Sequence, residues 1–216
     1  MTEKEKLPLK KKIIEYIYDA IVNEEFIQGS QIKETFLSEK LGVSRAPIRE
    51  AMLELVSLGI LEQKARKGVF VKRITSKDVY DTYETKGVIE GFLASSFPLN
   101  ATKKDIETLE KYLFQMKEAG ENSKKVVKIG ESFHKLTIKY ATNEILNHML
   151  QQINKKSQIL FFKNWTKLYT IDEIENRHQL IINALKSKDR NRIEKTIKEH
   201  YFETGSKIVL LREVQK

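Results

Sequence analysis

Two histidines in the second half of the chain have a spacing that would bring them together inside a helical bundle. His178 and His200 each continue the apolar face of a predicted helix, so both side chains should point inward. Each lies about ten residues, or ~15 Å, from the turn at 187–189, so an antiparallel helix pair sets them at one level. With His134 they would suit Zn, Ni, Fe or Mn and leave coordination positions open. The alternative is that the three are ordinary core histidines that form hydrogen bonds. The fourth histidine, His148, has polar neighbours and is predicted to be exposed and inert.

A second group of residues is suited to nucleic acid. Ser44, Arg45 and Arg49 lie in the first turns of a predicted helix, with Pro47 at a position where a missing backbone N–H costs little. Ser44 is also a good N-cap residue. Arginine binds guanine O6 and N7 through two hydrogen bonds, so this helix is predicted to read base edges in the major groove.

A basic segment follows this helix. Residues 64–73 contain five basic side chains and no acid, which suits contact with the phosphate backbone. The basic residues are Lys64, Arg66, Lys67, Lys72 and Arg73.

The elements that must position these side chains form a winged helix-turn-helix. Apolar residues at helical spacing predict a short helix over 33–42 that ends at Gly42, as a C-cap glycine would. After a tight turn, a second helix carries one apolar stripe and stops at Gly59. Two strands then flank a turn at 66–68. The stripes consist of Phe36, Leu37 and Leu41, then Ile48, Ala51, Met52, Leu55 and Val56, and the strands contain Ile60, Leu61, Val69, Phe70 and Val71.

A further helix precedes this unit and a helical bundle follows it. The first helix, about Leu9 to Glu24, presents an isoleucine-rich face and is followed by a turn at 28–30. After residue 76 the pattern is helical throughout, with helices predicted over 76–97, 102–119, 123–141, 144–168, 171–187 and 189–213. The chain is therefore predicted to be mainly α, with a winged helix-turn-helix at 1–75 and an all-α bundle of six to seven helices at 76–216.

The composition restricts the class of protein. The 216 residues include no cysteine, which excludes a disulfide scaffold, thiolate catalysis and cysteine-rich metal sites. The start, MTEKEKLPLKKK, has no apolar h-region, and no run approaches the ~20 apolar residues of a membrane span. We therefore expect a cytoplasmic protein with no membrane partner. The formal net charge of +9 does not locate the DNA site, whereas the local basic cluster does.

The segment 43–71, VSRAPIREAMLELVSLGILEQKARKGVFV, resembles the signature of GntR-family bacterial transcription regulators. That signature runs V-S-R-x-P-V-R-E-A-L-x-x-L-x-x-x-G-L and closes with G-x-F-V. By position, the resemblance implies DNA-binding roles for Ser44, Arg45, Pro47 and Arg49, and a wing role for Gly68. Thr35 stands where family members often carry an arginine. Because one helix and one wing read few base pairs, we expect a homodimer on a short palindromic operator in double-stranded DNA.

The stretch 76–213 is similar to the FCD ligand-binding domain of the FadR subfamily. In ETKGVIE (84–90), Lys86 takes the place of the arginine in the family pattern E-x-R-x-x-L-E. In GESFH (130–134), Gly130 takes the place of an aspartate that, with His134, His178 and His200, would hold a divalent metal. The resemblance also implies effector binding and dimerisation by this domain and a small carboxylate effector, with which Lys86 or Arg177 would pair.

A glycine at position 130 removes one protein ligand from the implied metal site. Glu131 lies three residues before His134, and such carboxylate–histidine pairs bind metals in helical bundles. Glu131 is, however, displaced by ~100° around the helix from Gly130. The open position would otherwise accept water or an effector carboxylate.

Three functions follow from these features. The first is a ligand-responsive transcription regulator, a repressor in the form we favour. The second is a metal sensor in which the ion itself is the signal. The third is a metal-dependent hydrolase with a nucleic-acid-targeting domain, but Glu131 is the single candidate base beside the histidines, which favours a protein that is not an enzyme.

Overall fold

The chain divides into two compact units between Thr75 and Ser76 in a computed structural model that describes residues 8–120, 122–162 and 165–214. The first unit contains three helices and a small sheet. These elements are α1 (Leu9–Val22), β1 (Gln31–Ile32), α2 (Glu34–Leu41), α3 (Arg45–Ser57), β2 (Leu61–Lys64) and β3 (Gly68–Val71). The prediction of a winged helix-turn-helix is confirmed.

The core of the first unit is the isoleucine face of α1 packed against the apolar stripe of α3. Gly42 ends α2 in the left-handed conformation, at φ 65°, where a residue without a Cβ pays no steric cost. The buried residues among those described in this unit are Ile13, Ile14, Ile17, Ala20, Ile21, Ile32, Leu37, Ile48, Ala51, Met52, Leu55, Ile60, Leu61 and Val71.

Three details of this unit differ from the sequence-based expectation. The sheet is antiparallel with the order β1-β3-β2, and β1 was not predicted because two residues are too few to show an alternating pattern. Ser44 occupies the N-cap position of α3 with extended backbone, but its side chain makes no capping hydrogen bond. Phe36 does not join the core. It is 45% exposed and packs edge-on against Phe26 with ring centroids 6.1 Å apart.

The described part of the second unit is entirely helical. Its elements are α4 (Ser76–Ala94), α5 (Phe97–Asn100), α6 (Lys103–Ala119), α7 (Ser123–Thr137), α8 (Glu144–Phe162), α9 (Trp165–Leu168), α10 (Ile171–Ser187) and α11 (Arg190–Val214). The helix predicted over 76–97 ends three residues early, before the single turn α5, and the helix predicted over 123–141 ends at Thr137. The segment predicted as 144–168 forms α8 and α9, and residues 163 and 164 lie outside the described residues.

Local capping fixes where two helices of the bundle begin. Thr102 and Asp105 form a reciprocal capping box at the start of α6, and Thr170 and Glu173 form another at the start of α10. The second box places His178 two turns into α10. None of the helices in the described chain is long and apolar enough to span a lipid bilayer.

Helices α4 and α11 pack backbone against backbone because glycines lie between them. A Cβ on Gly91 would meet the Glu194 carbonyl oxygen at 2.9 Å, and one on Gly87 would lie 3.2 Å from the Cα of Lys198. On the α11 side, a Cβ on Gly205 would meet Tyr83 Cβ at 2.9 Å. The two helices therefore approach more closely than larger residues would allow, and their registration is tightly constrained.

Candidate functional site

The surface predicted to read DNA, here called the DNA-reading surface, comprises the exposed start of α3 and the wing between β2 and β3. Ser44 and Arg45 are exposed, as is Thr35 on α2, and Pro47 is partly buried in the first turn of α3. The Arg49 side chain is 64% exposed on the side of α3 opposite the buried stripe. These predicted residues therefore share an accessible surface, as a recognition helix requires.

Arg49 is held in place by a carboxylate that sequence reasoning missed. Its Nε and one terminal nitrogen donate to the two oxygens of Glu34 at 2.9 and 2.8 Å, a two-pronged ion pair. The hydrogen bond from Arg49 lowers the pKa of Glu34. To read a base edge as predicted, the guanidinium would have to exchange this carboxylate for DNA. The two residues lie on different helices, so periodicity within one helix does not indicate the pair.

The tip of the wing is anchored by β1. Gln31 Nε2 donates to the carbonyl oxygen of Lys67 at 2.6 Å, and a Cβ on Gly68 would lie 2.8 Å from that same nitrogen. Gly68 also has φ 102°, which favours glycine. Lys67 and Arg66 are exposed at the turn, whereas Lys64 pairs with Glu62 at 2.9 Å. Strand β1, which was not predicted from the sequence, therefore holds the predicted wing tip in place.

The second candidate site is a cavity of about 590 Å³ inside the helical bundle. His134 on α7, His178 on α10 and His200 on α11 meet at its wall, and their nearest ligand atoms all lie within 4.8 Å of one another. The ring centroids are 5.0 to 5.4 Å apart. Metal–nitrogen bonds of about 2.1 Å place neighbouring ligand atoms about 3.0–3.4 Å apart, so the three rings would have to draw closer to hold one ion.

His134 is oriented by a buried carboxylate from α4. Its Nδ1 lies 2.7 Å from Glu90 Oε1, and the Tyr201 hydroxyl donates to both oxygens of Glu90 at 3.0 and 2.9 Å. Burial alone would raise the pKa of Glu90, but His134, Lys86 and Tyr201 hold it below its ordinary value. A carboxylate on Nδ1 leaves Nε2 of His134 available to a metal, the arrangement usual for ligating histidines.

The other two histidines are held in the neutral form. His178 Nδ1 donates to the carbonyl oxygen of Ile174 at 2.7 Å, and burial lowers the pKa of His178 to about 3. Burial, with Arg177 nearby, also lowers the pKa of His200. His200 Nδ1 is a buried atom with no hydrogen-bond partner among the described residues, which costs free energy unless something binds there. Neutral imidazoles and an orphaned ring nitrogen fit a divalent metal of the Zn, Ni, Fe or Mn type.

The positions predicted to supply a carboxylate ligand behave differently. Gly130 lines the cavity and has room, since a Cβ there would meet only Met116 Sδ at 4.0 Å. Glu131 also lines the cavity, but it is not among the described ligand atoms that come together at the histidines. Its helical displacement accounts for this, and partial burial at the rim raises its pKa. His148 is exposed, as predicted.

Lys86 supplies a cation to the same cavity. Its Nζ donates to Ser157 Oγ at 3.2 Å and lies 4.6 Å from the centre of the Tyr201 ring. Burial lowers the pKa of Lys86, while Glu90 and Glu131 oppose that shift. An ammonium group has three donors, so this lysine is suited to bind an anion within the cavity.

Arg177 is a cation that already has several partners within the protein. Its guanidinium pairs with Glu203, donates to the His200 carbonyl oxygen at 2.6 Å and to Thr204 Oγ1 at 2.9 Å, and stacks on Tyr169. Arg177 also lines the cavity, and its pairing with an effector stays a prediction. The guanidinium ties α10 to α11 directly behind His200.

The segments of the chain that contain the two candidate sites match known protein families. Residues 9–71 match the family described as bacterial regulatory proteins, gntR family, and residues 81–203 match the FCD domain. This chain is a GntR-family regulator of the FadR/FCD type. It is a DNA-binding transcription regulator, which excludes the hydrolase alternative.

Relatives of this GntR-family regulator align over most of its length. It is 28% identical over 184 residues to the HTH-type transcriptional regulator YdhC of Bacillus subtilis (strain 168), covering 84% of this chain and 82% of the relative. It is 30% identical over 145 residues to the Nta operon transcriptional regulator of Aminobacter aminovorans, covering 67% and 69%. The solved structure of E. coli McbR/YncC superposes with a TM-score of 0.74 at 19% identity, covering 97% of this chain and all of that one, and so supports the fold.

Sequence reasoning missed several residues of the regulator's cavity. Glu90 and Tyr201 hold His134, and Ser157 holds Lys86. Glu90 was detectable in principle, because a carboxylate that falls on the inward face of an apolar helix needs a partner. Tyr201 and Ser157 carried no such signal, since both occur commonly in ordinary helical cores.

Proposed function

We propose that this regulator is a repressor released from DNA by a small carboxylate bound at a divalent metal. His134, His178 and His200 would hold the metal, and Lys86 would pair with the carboxylate. The observation that carries the proposal is the meeting of three imidazoles, two of them held neutral, at the wall of a cavity that also contains a cation.

Each group of the cavity has a separate task in this proposal. Glu90 orients His134, and the Ile174 carbonyl orients His178, so that ring nitrogens face the proposed ion without competing protons. The ion would act as a Lewis acid that binds a carboxylate oxygen at an open position. Gly130 leaves that position open, because no aspartate side chain occupies it.

For the DNA side we propose a homodimer that binds a short palindromic operator through Arg45 and Arg49, with Arg66 and Lys67 on the flanking phosphates. One α3 and one wing contact too few base pairs for useful specificity, and paired half-sites supply the rest. The effector acts by changing the relative population of DNA-binding and non-binding states of the dimer.

The proposal is tested with operator DNA obtained by selection from randomised duplexes. Fluorescence anisotropy would measure its affinity for the chelated protein, the Zn-loaded protein and the Zn-loaded protein with each member of a panel of short carboxylates. We expect release only when metal and a carboxylate are both present, and loss of this response in His178→Ala. Metal-dependent DNA binding with no carboxylate effect would identify the metal-sensor alternative, and indifference to chelator, metal and His178→Ala would refute a metal role.

A second variant tests the open position itself. Gly130→Asp places a carboxylate where the cavity has space, so it should raise Zn affinity in the absence of effector and weaken the response to carboxylates. Isothermal titration of Zn into both proteins, with and without carboxylate, measures both effects. An unchanged Zn affinity would mean that position 130 does not face the ion.

A further inference from the structure

Helix α8 forms one wall of the cavity, and this wall is polar although the inward face of a bundle helix is normally apolar. Asn147, Gln151, Asn154 and Ser157 recur at helical spacing and all line the cavity. An inward helix face in an ordinary core would carry aliphatic residues at these positions, as Leu150 does. Side-chain amides in this arrangement have to find hydrogen-bond partners, and the cavity is where those partners can be.

Asn154 is the group on this wall whose partner is missing. Its Oδ1 is buried and accepts no hydrogen bond from the residues that the structure describes, whereas Asn147 already donates to the Ala141 carbonyl oxygen at 3.3 Å. Exchanging the oxygen and nitrogen of the Asn154 amide would leave a donor in the same position. In either orientation the site calls for a ligand atom that can donate or accept, and a hydroxyl group does both.

Asn154 is linked to the cation of the cavity. Ser157 Oγ donates to the backbone oxygen of Asn154 at 3.0 Å and accepts from Lys86 Nζ at 3.2 Å. The Tyr83 hydroxyl also donates to the Ser157 carbonyl oxygen, at 3.2 Å. The Lys86 ammonium from α4 therefore contacts α8 one turn after Asn154, and because both residues line the cavity, one small molecule could contact both.

We propose that the effector is a hydroxylated carboxylate whose hydroxyl groups bind Asn154 and whose carboxylate is bound by Lys86 and the histidine site. This inference rests on the proposed function and narrows its ligand class. A plain aliphatic acid would fill the cavity but leave the buried Asn154 oxygen without a partner, so it would bind less tightly. A cavity of about 590 Å³ has room for a polyhydroxylated acid of several carbons.

The test compares acids of equal length and charge that differ in hydroxyl groups. Butanoate is compared with L-threonate and D-erythronate, its two trihydroxylated counterparts, by isothermal titration into the Zn-loaded protein. We expect at least one hydroxylated acid to bind about tenfold more tightly than butanoate, the equivalent of one well-formed hydrogen bond. Asn154→Leu, similar in size but apolar, should abolish that preference while retaining butanoate binding.

A matched control lies on the same helix. Gln152 is exposed and contacts His148, so Gln152→Leu makes the same kind of change outside the cavity and should keep the preference for hydroxylated acids. Equal affinities for all three acids, or a preference that survives in Asn154→Leu, would overturn the inference and leave the carboxylate-effector proposal standing. If none of the three acids binds with or without Zn, both proposals are refuted.

Discussion

The DNA-reading surface and the bundle cavity each contain a hydrogen-bonded glutamate, but in opposite surroundings. On α3, Arg49 is 64% exposed and paired with Glu34, so water can replace either partner during an exchange. In the cavity, Glu90 is 1% exposed, and its oxygens depend on His134 and Tyr201 alone among the contacts of the described chain. Substitutions on the DNA-reading surface should therefore alter DNA affinity with little effect on stability. Substitutions of buried polar groups in the helical bundle should alter both stability and ligand binding.

The largest expected effect comes from removing the buried carboxylate. Glu90→Ala leaves His134 and Tyr201 without their partner and should lower the free energy of unfolding by about 3–5 kcal/mol. Urea unfolding of the metal-free protein measures this. Glu131→Gln, at the cavity rim, serves as the control and should change stability by less than about 0.5 kcal/mol. Equal unfolding midpoints for the two variants would show that the buried Glu90 matters no more for stability than Glu131 at the cavity rim, and would contradict the role given to burial in this comparison.

A second buried carboxylate extends the contrast to pH. Asp105 accepts hydrogen bonds from Lys139, Thr102 and Tyr140, which hold its pKa below the ordinary value. Its folded pKa lies below its unfolded pKa, so the stabilisation is complete above about pH 4 and is lost as the pH falls through the folded value. Asp105→Asn should cost about 1.5–3 kcal/mol at neutral pH and flatten the acid limb of the stability curve. Urea midpoints measured from pH 7 down to pH 2 would show both, and an acid limb as steep as that of the parent would contradict the assignment.

On the DNA-reading surface, a substitution should lower DNA affinity without lowering stability. Arg49→Ala should weaken specific operator binding by about 1–3 kcal/mol, because one two-pronged base contact is lost. Its unfolding free energy should stay within about 0.5 kcal/mol of the parent value, since the Glu34 pair is exposed. Anisotropy on selected and scrambled duplexes, together with urea unfolding, separates the two effects. Parent-like operator affinity would remove Arg49 from the reading surface.

The smallest effect is expected at the wing tip. Lys67→Ala should weaken selected and scrambled DNA alike and reduce the slope of log affinity against log salt by about one phosphate contact. The backbone carbonyl of residue 67 that accepts from Gln31 remains in the variant, so the wing should keep its shape. A salt titration of binding checks the slope, and a loss confined to the selected duplex would indicate a base contact instead.

The same contrast explains how much of the DNA-reading surface could be predicted from the sequence. Its groups lie within one short segment, so cap, stripe and wing are visible as local patterns. What escaped prediction there was non-local: the two-residue strand β1, which pairs with β3, and the pairing of Glu34 with Arg49. A strand of two residues has no period, and an exposed glutamate has many equivalent solvated positions.

In the cavity, helical periodicity was enough to find the inward histidines but not their partners. Glu90 meets Tyr201 across 111 residues, and Tyr83 meets Ser157 across 74. Which helices become neighbours depends on the whole packing arrangement, which a pattern within one helix does not contain. Arg177 illustrates the same limit, because its ion pair with Glu203 on the next helix could not be predicted from the pattern of α10 alone.

The close contact of α4 and α11 across Gly87, Gly91 and Gly205 bears on how such a receptor can diversify. These helices carry Lys86, Glu90 and His200, and the absence of Cβ atoms between them leaves almost no freedom to slide. Helix α8 contains no glycine, and its residues Gln151 and Asn154 line the cavity without forming such close backbone contacts. Selection or engineering could therefore exchange the α8 side chains and change which molecule is sensed, while the apparatus that would hold a metal and a carboxylate keeps its registration.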